Sequence, residues 1–257
     1  MSDPRVTPDP AKVSRRDPRQ VVRPLVDSLR RPDGPRDRQL LFGDAVTVFQ
    51  DADGWSYVQA VKDAYCGYVR TEDLGPFAAP THRVSAPATH AYKQADFKSP
   101  DQISLSYGSR VVVQSLDGSY ARTELGFIPA VHLAPVTDVA QDPASVAALF
   151  LGTPYLWGGN SRWGIDCSGL VQASLLACDI PCPGDSDMQQ GLGTAASGPY
   201  QRNDLLFWKG HVALVTDAET LIHANAGAMA TVYEPIKAAI ERIEFQGDGP
   251  VTAHRRL

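Results

Sequence analysis

No stretch of this chain approaches the roughly 18 consecutive apolar residues that a membrane-spanning helix needs. Its opening, Met-Ser-Asp-Pro-Arg-Val-Thr-Pro-Asp-Pro, lacks the apolar core of a secretory signal. Ser14-Arg15-Arg16 has the look of a twin-arginine signal, but Asp17-Pro18-Arg19 stands where the apolar segment is required. The expectation is a cytoplasmic protein with no membrane span. Cysteine is scarce, with four in 257 residues. Cys178 and Cys182 lie four apart across Ile180-Pro181, with no second Cys or His pair at zinc-finger spacing, which argues against a structural zinc. Gly191-Leu192-Gly193 has no strand ahead of it and fails as a dinucleotide loop. No metal or organic cofactor is expected. An excess of positive charge is also missing. The net charge is −5, and residues 1–38 hold ten Lys/Arg against six Asp/Glu, which leaves −9 for the remainder. Nucleic acid is therefore not an expected partner. With 43% hydrophobic and 21% charged residues, the composition is that of an ordinary soluble globular protein, long enough for two or three small domains.

What the chain does have is a cysteine in an informative place. Gly164-Ile165-Asp166-Cys167-Ser168-Gly169-Leu170 sets it between a glycine-bearing turn and an apolar helix. Leu170, Val171, Ser174, Leu175 and Cys178 recur at helical spacing, and Pro181 ends the run. Cys167 thus falls in the first turn, where unpaired N–H groups and the macrodipole favour negative charge. Such a setting lowers a thiol pKa from its reference of about 8.5. Against this stands the commoner fate of a free cysteine, a small hydrophobe buried at a helix end. Two later segments tip the balance. His211 opens Val-Ala-Leu-Val-Thr, a β-branched run that reads as a strand start, and Gly210 before it allows close approach of backbone or substrate. His223 follows Leu221-Ile222 in another strand-like run. In a neighbouring antiparallel strand it could orient His211 through its second ring nitrogen. A cysteine at a helix start and two histidines on later strands together point to a thiol hydrolase. Cys167 is then the nucleophile, His211 the general base and His223 its orienter. Cys178, about 16 Å further along the same helix, cannot resolve a bond with Cys167, and Cys66 reads as core. His82, His90, His132 and His254 have no comparable companions.

These segments, with Tyr155-Leu156-Trp157-Gly158-Gly159 ahead of them, resemble the NlpC-type cell-wall cysteine peptidase family, whose members have a papain-like fold. The likeness spans about residues 145–257. It implies the same three roles for Cys167, His211 and His223, and it places Tyr155 beside the nucleophile at the oxyanion site. Trp157, Asp166 and Ser168 come with these motifs as residues facing the substrate. Gly184-Asp185-Ser186-Asp187-Met188-Gln189 is similar to a segment of one subgroup, the γ-D-glutamyl-diamino acid endopeptidases. There the aspartate and serine hold the free amino end and the D-glutamate of a murein peptide. Asp185 and Ser186 match, whereas Gly184 replaces an arginine. The same two residues could equally cap a short helix. The substrate implied is a murein-derived peptide, L-Ala-γ-D-Glu-diamino acid, cut at the γ-D-glutamyl amide and met in cell-wall recycling.

The amino-terminal half reads as short strands broken by turns. Leu40-Leu41-Phe42-Gly43-Asp44-Ala45-Val46-Thr47-Val48 leads through Asp51-Ala52-Asp53-Gly54 to Trp55-Ser56-Tyr57-Val58 and Gly67-Tyr68-Val69. The Asp-Gly segment reads as a hairpin turn rather than a calcium loop, since no glutamate closes it. A weaker copy follows, Ser106-Tyr107-Gly108, Val111-Val112-Val113 and Gly126-Phe127-Ile128. These units resemble bacterial SH3-like barrels, at 21–76 and 83–136, after a Pro- and Arg-rich arm, 1–20, that is flexible or draped on the body. The expected architecture is α+β, with two small barrels ahead of a papain-like domain at 143–257. In the subgroup the first barrel also closes one end of the cleft, which matches Asp44 and Tyr65. Each reads as well as an exposed turn residue. Two rival functions remain: a non-catalytic peptide-binding module, and an exported wall hydrolase or acyltransferase on the same scaffold.

Overall fold

In Ala45-Val46-Thr47-Val48 the apolar side chains alternate, and in the computed structural model, which describes residues 3–257, Val46 and Val48 point into a core with Val21, Val26, Leu40 and Val58. Pairing slips by one residue between Val48 and Gln50. This bulge lets the next residue, Phe49, go inward as well, into a separate cluster with Tyr57 and Cys66. The described residues divide into a unit ending at Asp138 and another beginning at Val139. None of their helices is long and apolar enough to cross a membrane.

The first unit is all strand apart from short 3₁₀ turns. Seven strands, β1 (Asp17–Val21), β2 (Leu25–Leu29), β3 (Arg36–Leu41), β4 (Ala45–Ala52), β5 (Trp55–Ala60), β6 (Cys66–Arg70) and β7 (Leu74–Pro76), pair in the order β3-β2-β6-β5-β4-β1-β7. The β4–β5 connection is the expected two-residue hairpin, with Asp53 and Gly54 at φ 52° and 79°. The weaker copy follows as β8 (His82–Val84), β9 (Ala88–Tyr92), β10 (Asp101–Ser106), β11 (Arg110–Val111), β12 (Ser115–Asp117), β13 (Tyr120–Thr123), β14 (Gly126–Pro129) and β15 (Leu133–Pro135). These strands form a five-stranded sheet, β10-β9-β14-β13-β12, and a three-stranded one, β11-β8-β15. Expected as closed barrels, the sheets pair in open order among the described residues.

The internal repeat is visible in the backbone. Gly43 and Gly108 sit at φ 78° and 84° in equivalent turns and donate to the carbonyls of Val21 and Val84, each at 2.9 Å. The two copies are not strung on a loose linker. Arg110 N donates to Phe42 O at 2.9 Å, and Phe42 of the first copy is buried in the second copy's core with Val84, Leu105 and Ile128. The first sheet also begins earlier than the sequence indicated, at Asp17. Much of the preceding arm lies against this unit: Arg5 O accepts from Cys66 N (2.7 Å), Val6 O from Gln59 Nε2 (3.0 Å), and Ser14 N donates to Phe49 O (3.1 Å). Residues 1 and 2 of the expected arm lie outside the described residues.

The second unit is α+β. Helix α1 (Pro143–Ala148) precedes the short strands β16 (Asn160–Ser161) and β17 (Gly164–Ile165). After them come α2 (Cys167–Ala177), α3 (Ser186–Gln189), β18 (Thr194–Ala195), β19 (Leu205–Trp208), β20 (His211–Val215), β21 (Thr220–Asn225), β22 (Ala230–Pro235), α4 (Ile236–Phe245) and β23 (Ala253–Arg256). The sheet runs β18-β23-β19-β20-β21-β22. Helix α2 packs on β20 and β21 and is buried at every position except Ala173 and Leu176, which is why it carries no charged residue and its apolar side chains are not confined to one face. By contrast α4 is amphipathic. Ile236, Ala239 and Ile243 pack on Leu206, Trp208, Ala213 and Val215 of the sheet, while Lys237 and Glu241 face water.

Candidate active site

Cys167 is the first residue of α2, and Asp166 is its N-cap. One oxygen of the Asp166 carboxylate accepts from Gly169 N (2.6 Å) and from the Ser168 hydroxyl (3.1 Å); the other accepts from Gly158 N (2.8 Å). A single carboxylate thus satisfies an orphan donor of the helix and ties the Trp-Gly-Gly loop to it. The loop lies so close that a Cβ on Gly169 would stand 2.5 Å from Gly159 O. Cys167 itself is 6% exposed. Asp166 and Ser168 are equally buried and joined to each other in the cap, where they hold the cysteine segment in place. Trp157, 68% exposed, is open to solvent.

Tyr155 is joined to β17 by a bridge to Ile165, and its amide donates to Met229 O at 2.9 Å. Burial first, then the negative charges of Cys167 and Asp166, push its phenol above the ordinary range. The phenol therefore stays protonated at neutral pH, a donor rather than an anion.

His211 begins β20 and His223 lies in β21, as expected. His211 Nε2 lies 2.9 Å from His223 Nδ1, with ring centroids 5.1 Å apart. The indole of Trp208 stands 5.7 Å from the His211 ring. Burial, reinforced by the neighbouring His223 and by Arg242, pulls His211 down to about 3 despite the opposing pull of Glu234. At neutral pH the ring is therefore an uncharged imidazole, the form a base needs. With Nε2 turned to His223, Nδ1 is the nitrogen left for a thiol. Gly210 proves to be a turn residue, at φ 74° with nothing within 4 Å of where a Cβ would stand. Its conformation calls for glycine, not a close approach.

Behind the pair lies an assembly that the motifs do not contain. His223 is fully buried, and its Nε2 is 3.0 Å from Glu234 Oε2 and 2.7 Å from Asn225 Nδ2. Arg242 of α4 grips Glu234 with both arms, Nε at 2.9 Å and Nη2 at 2.8 Å, and holds its carboxyl down at about 2, with His223 helping. Val232 is directly opposite His223 across the β21–β22 ladder. Glu234, two residues on, is the diagonal neighbour on the same face. No local pattern announces it; only the register of β22 could have.

Asp185 precedes α3, yet its side chain makes no capping bond there, so the capping reading loses its support. Asp44 and Tyr65 both belong to the first unit. Asp44 is 6% exposed, accepts from Leu41 N at 2.9 Å and pairs with Lys62 at 2.7 Å, which accounts for it as a buried turn carboxylate. Tyr65 lines a cavity of about 610 Å³ with Tyr57, Tyr68, Lys12 and Arg30.

Residues 152–241 match the model of the NlpC/P60 family. The chain carries an NlpC/P60 domain. Ahead of it, residues 29–74 match the Sh3 domain of bacterial dipeptidyl-peptidases. The chain is similar to the γ-D-glutamyl-L-lysine dipeptidyl-peptidase of Bacillus subtilis (strain 168), 27% identical over 240 residues, which cover 79% of this chain and 80% of that protein. It is likewise similar to dipeptidyl-peptidase 6 of Lysinibacillus sphaericus, 27% identical over 219 residues and covering 74% and 80%. A solved NlpC/P60 family protein from Bacillus cereus ATCC 10987 has the same fold, with a TM-score of 0.79 at 20% identity, over 93% of this chain and 99% of that one. The residues matched by the NlpC/P60 model lie within the second unit and include Cys167, His211, His223 and Glu234.

Proposed function

We propose that this protein is a cysteine endopeptidase that hydrolyses the γ-D-glutamyl to diamino acid amide of murein-derived peptides bearing a free N-terminal L-Ala. The observation that carries this reading is the imidazole pair. His211 is uncharged and hydrogen-bonded to His223, on strands packed against the helix that Cys167 begins. The name of the Bacillus subtilis relative, a γ-D-glutamyl-L-lysine dipeptidyl-peptidase matched over four-fifths of its length, supports the choice of bond.

In this mechanism the Cys167 proton passes to His211 Nδ1, and the thiolate attacks the γ-carbonyl carbon. The oxyanion takes hydrogen bonds from backbone N–H groups at the start of α2 and from the Tyr155 hydroxyl. The C–N bond breaks as His211 gives its proton to the departing amine, leaving a thioester on Cys167. His211 then deprotonates a water that hydrolyses the thioester and releases the γ-carboxylate of D-glutamate. Asp185 and Ser186 receive the amino end of the peptide, where one ion pair with the L-Ala ammonium gives strong discrimination against acylated substrates. Free trimmed peptides are the substrates of recycling in the cytoplasm, and that role belongs to the proposal.

The test compares L-Ala-γ-D-Glu-diaminopimelate with its N-acetylated form on the purified protein, with products identified by mass. Cleavage of the free peptide alone supports the reading. Equal cleavage of both removes the recycling role, and full activity in Cys167→Ala removes the thiol.

A further inference from the structure

We propose that Glu234, gripped by Arg242, is the positioning residue that sets the proton arrangement of the two histidines and thereby makes His211 Nδ1 a base. The proposal deepens the reading of His211 as general base and rests on it.

Two groups contest Nε2 of His223. The Asn225 amide is pinned, because its Oδ1 accepts from Ala228 N at 2.7 Å, so it turns its NH₂ toward the ring. A donor there asks for a lone pair on Nε2. If it prevailed, His223 would carry its proton on Nδ1 and donate to His211 Nε2. His211 would then hold its own proton on Nδ1, the nitrogen needed for the cysteine. That arrangement cannot accept a thiol proton. The Glu234 carboxylate asks for the opposite: it is an acceptor only, and at 3.0 Å it requires an N–H on Nε2. A charge-assisted hydrogen bond is about twice as strong as a neutral one, and water cannot arbitrate at a fully buried ring. The carboxylate prevails. His223 then presents a lone pair at Nδ1, His211 donates to it from Nε2 at 2.9 Å, and the lone pair of His211 lies on Nδ1.

Arg242 supplies what this arrangement needs. Its fork fixes both carboxylate oxygens and keeps the group ionised. It also offsets the carboxylate's charge, since Glu234 and Arg242 act on His211 in opposite directions. The pair therefore governs where the protons sit more than how much charge the imidazolium feels.

The test is imidazole ¹⁵N chemical shifts on the labelled full chain at neutral pH, with kcat and KM alongside. The wild type is expected to carry protons on Nε2 of both His211 and His223. In Glu234→Gln the amide oxygen stays with the arginine fork and the NH₂ faces His223. Both rings should then move their protons to Nδ1, and kcat should fall at least 100-fold with KM within about threefold. Adding Asn225→Asp returns a carboxylate to Nε2 while still accepting from Ala228 N. The double variant should regain the Nε2 protons and at least a tenth of the wild-type kcat. Protons on Nδ1 in the wild type overturn the proposal, whether or not any variant folds. So does Glu234→Gln with unmoved protons, or a double variant whose protons return without activity. The nitrogen shifts need no turnover, so a wild type inert toward every peptide would sink the proposed function and leave this result readable.

Discussion

Replacing Asp166 with alanine tests whether one carboxylate holds the nucleophile's helix in place. The substitution removes three accepted hydrogen bonds and leaves Gly158 N and Gly169 N, both buried, without a partner. An orphaned buried donor costs about 1–3 kcal/mol, and loss of an N-cap alone about 1 kcal/mol. The Gly169 bond is counted in both figures, so the expected loss is about 2–6 kcal/mol. Against a total of about 5–15 kcal/mol for a domain, this removes a large share of the second unit's stability. Asp166→Asn keeps one acceptor oxygen and turns an NH₂ toward one of the two backbone donors, for a loss of about 1–3 kcal/mol. Urea unfolding followed by tryptophan fluorescence reads the change, because Trp208 is fully buried in the second unit. The midpoint should shift in the order Ala, then Asn, then wild type, with an unchanged slope. An alanine variant within about 1 kcal/mol of wild type would refute the reasoning, because two buried N–H groups cannot both be orphaned so cheaply.

Gly169→Ala should destabilise the second unit. Helix propensity alone favours alanine by about 1 kcal/mol, but a Cβ 2.5 Å from Gly159 O brings an overpacking cost of about 1–3 kcal/mol, and a raised Tm would contradict this. His211, pulled down to about 3, binds its proton less readily folded than unfolded, so stability rises with pH between about 3 and 6.5. Glu234, held at about 2, adds a second rise between about 2 and 4.5. Urea midpoints at pH 7 and pH 5 should therefore differ more in wild type than in His211→Gln, and equal differences would reject the depressed imidazole. Tyr155→Phe should lower kcat roughly tenfold or more by the same factor across pH 6 to 9, because the phenol stays protonated throughout. A loss that grows with pH would mean that the tyrosine titrates.

The chemistry was legible where it is local. Asp-Cys-Ser-Gly-Leu encodes its own cap and helix, and Gly-His-Val-Ala-Leu-Val encodes a turn and a strand, so the helix that Cys167 begins and the strands of His211 and His223 could be read in order. Asp166 was legible as a neighbour of the cysteine but not as the tie to the Trp-Gly-Gly loop, because Gly158 lies eight residues earlier in the chain. Glu234 and Arg242 were invisible for a related reason. Their approach to His223 depends on the register of β22 and on α4 crossing back over it, and neither leaves a local pattern. In the first unit the repeat was plain in Phe42-Gly43 and Tyr107-Gly108. The burial of Phe42 in the other copy's core is a long-range contact that alternation along a strand does not encode.

The central claim is that the sulfur of residue 167 carries the acyl group during turnover. Mixing the purified chain with L-Ala-γ-D-Glu-diaminopimelate, quenching in acid within milliseconds and mapping the peptides by mass puts this to direct measurement. The account predicts an L-Ala-D-glutamyl adduct on the peptide containing Cys167, absent from Cys167→Ser and discharged by hydroxylamine. Turnover without any adduct, in a variant lacking that thiol, would contradict it.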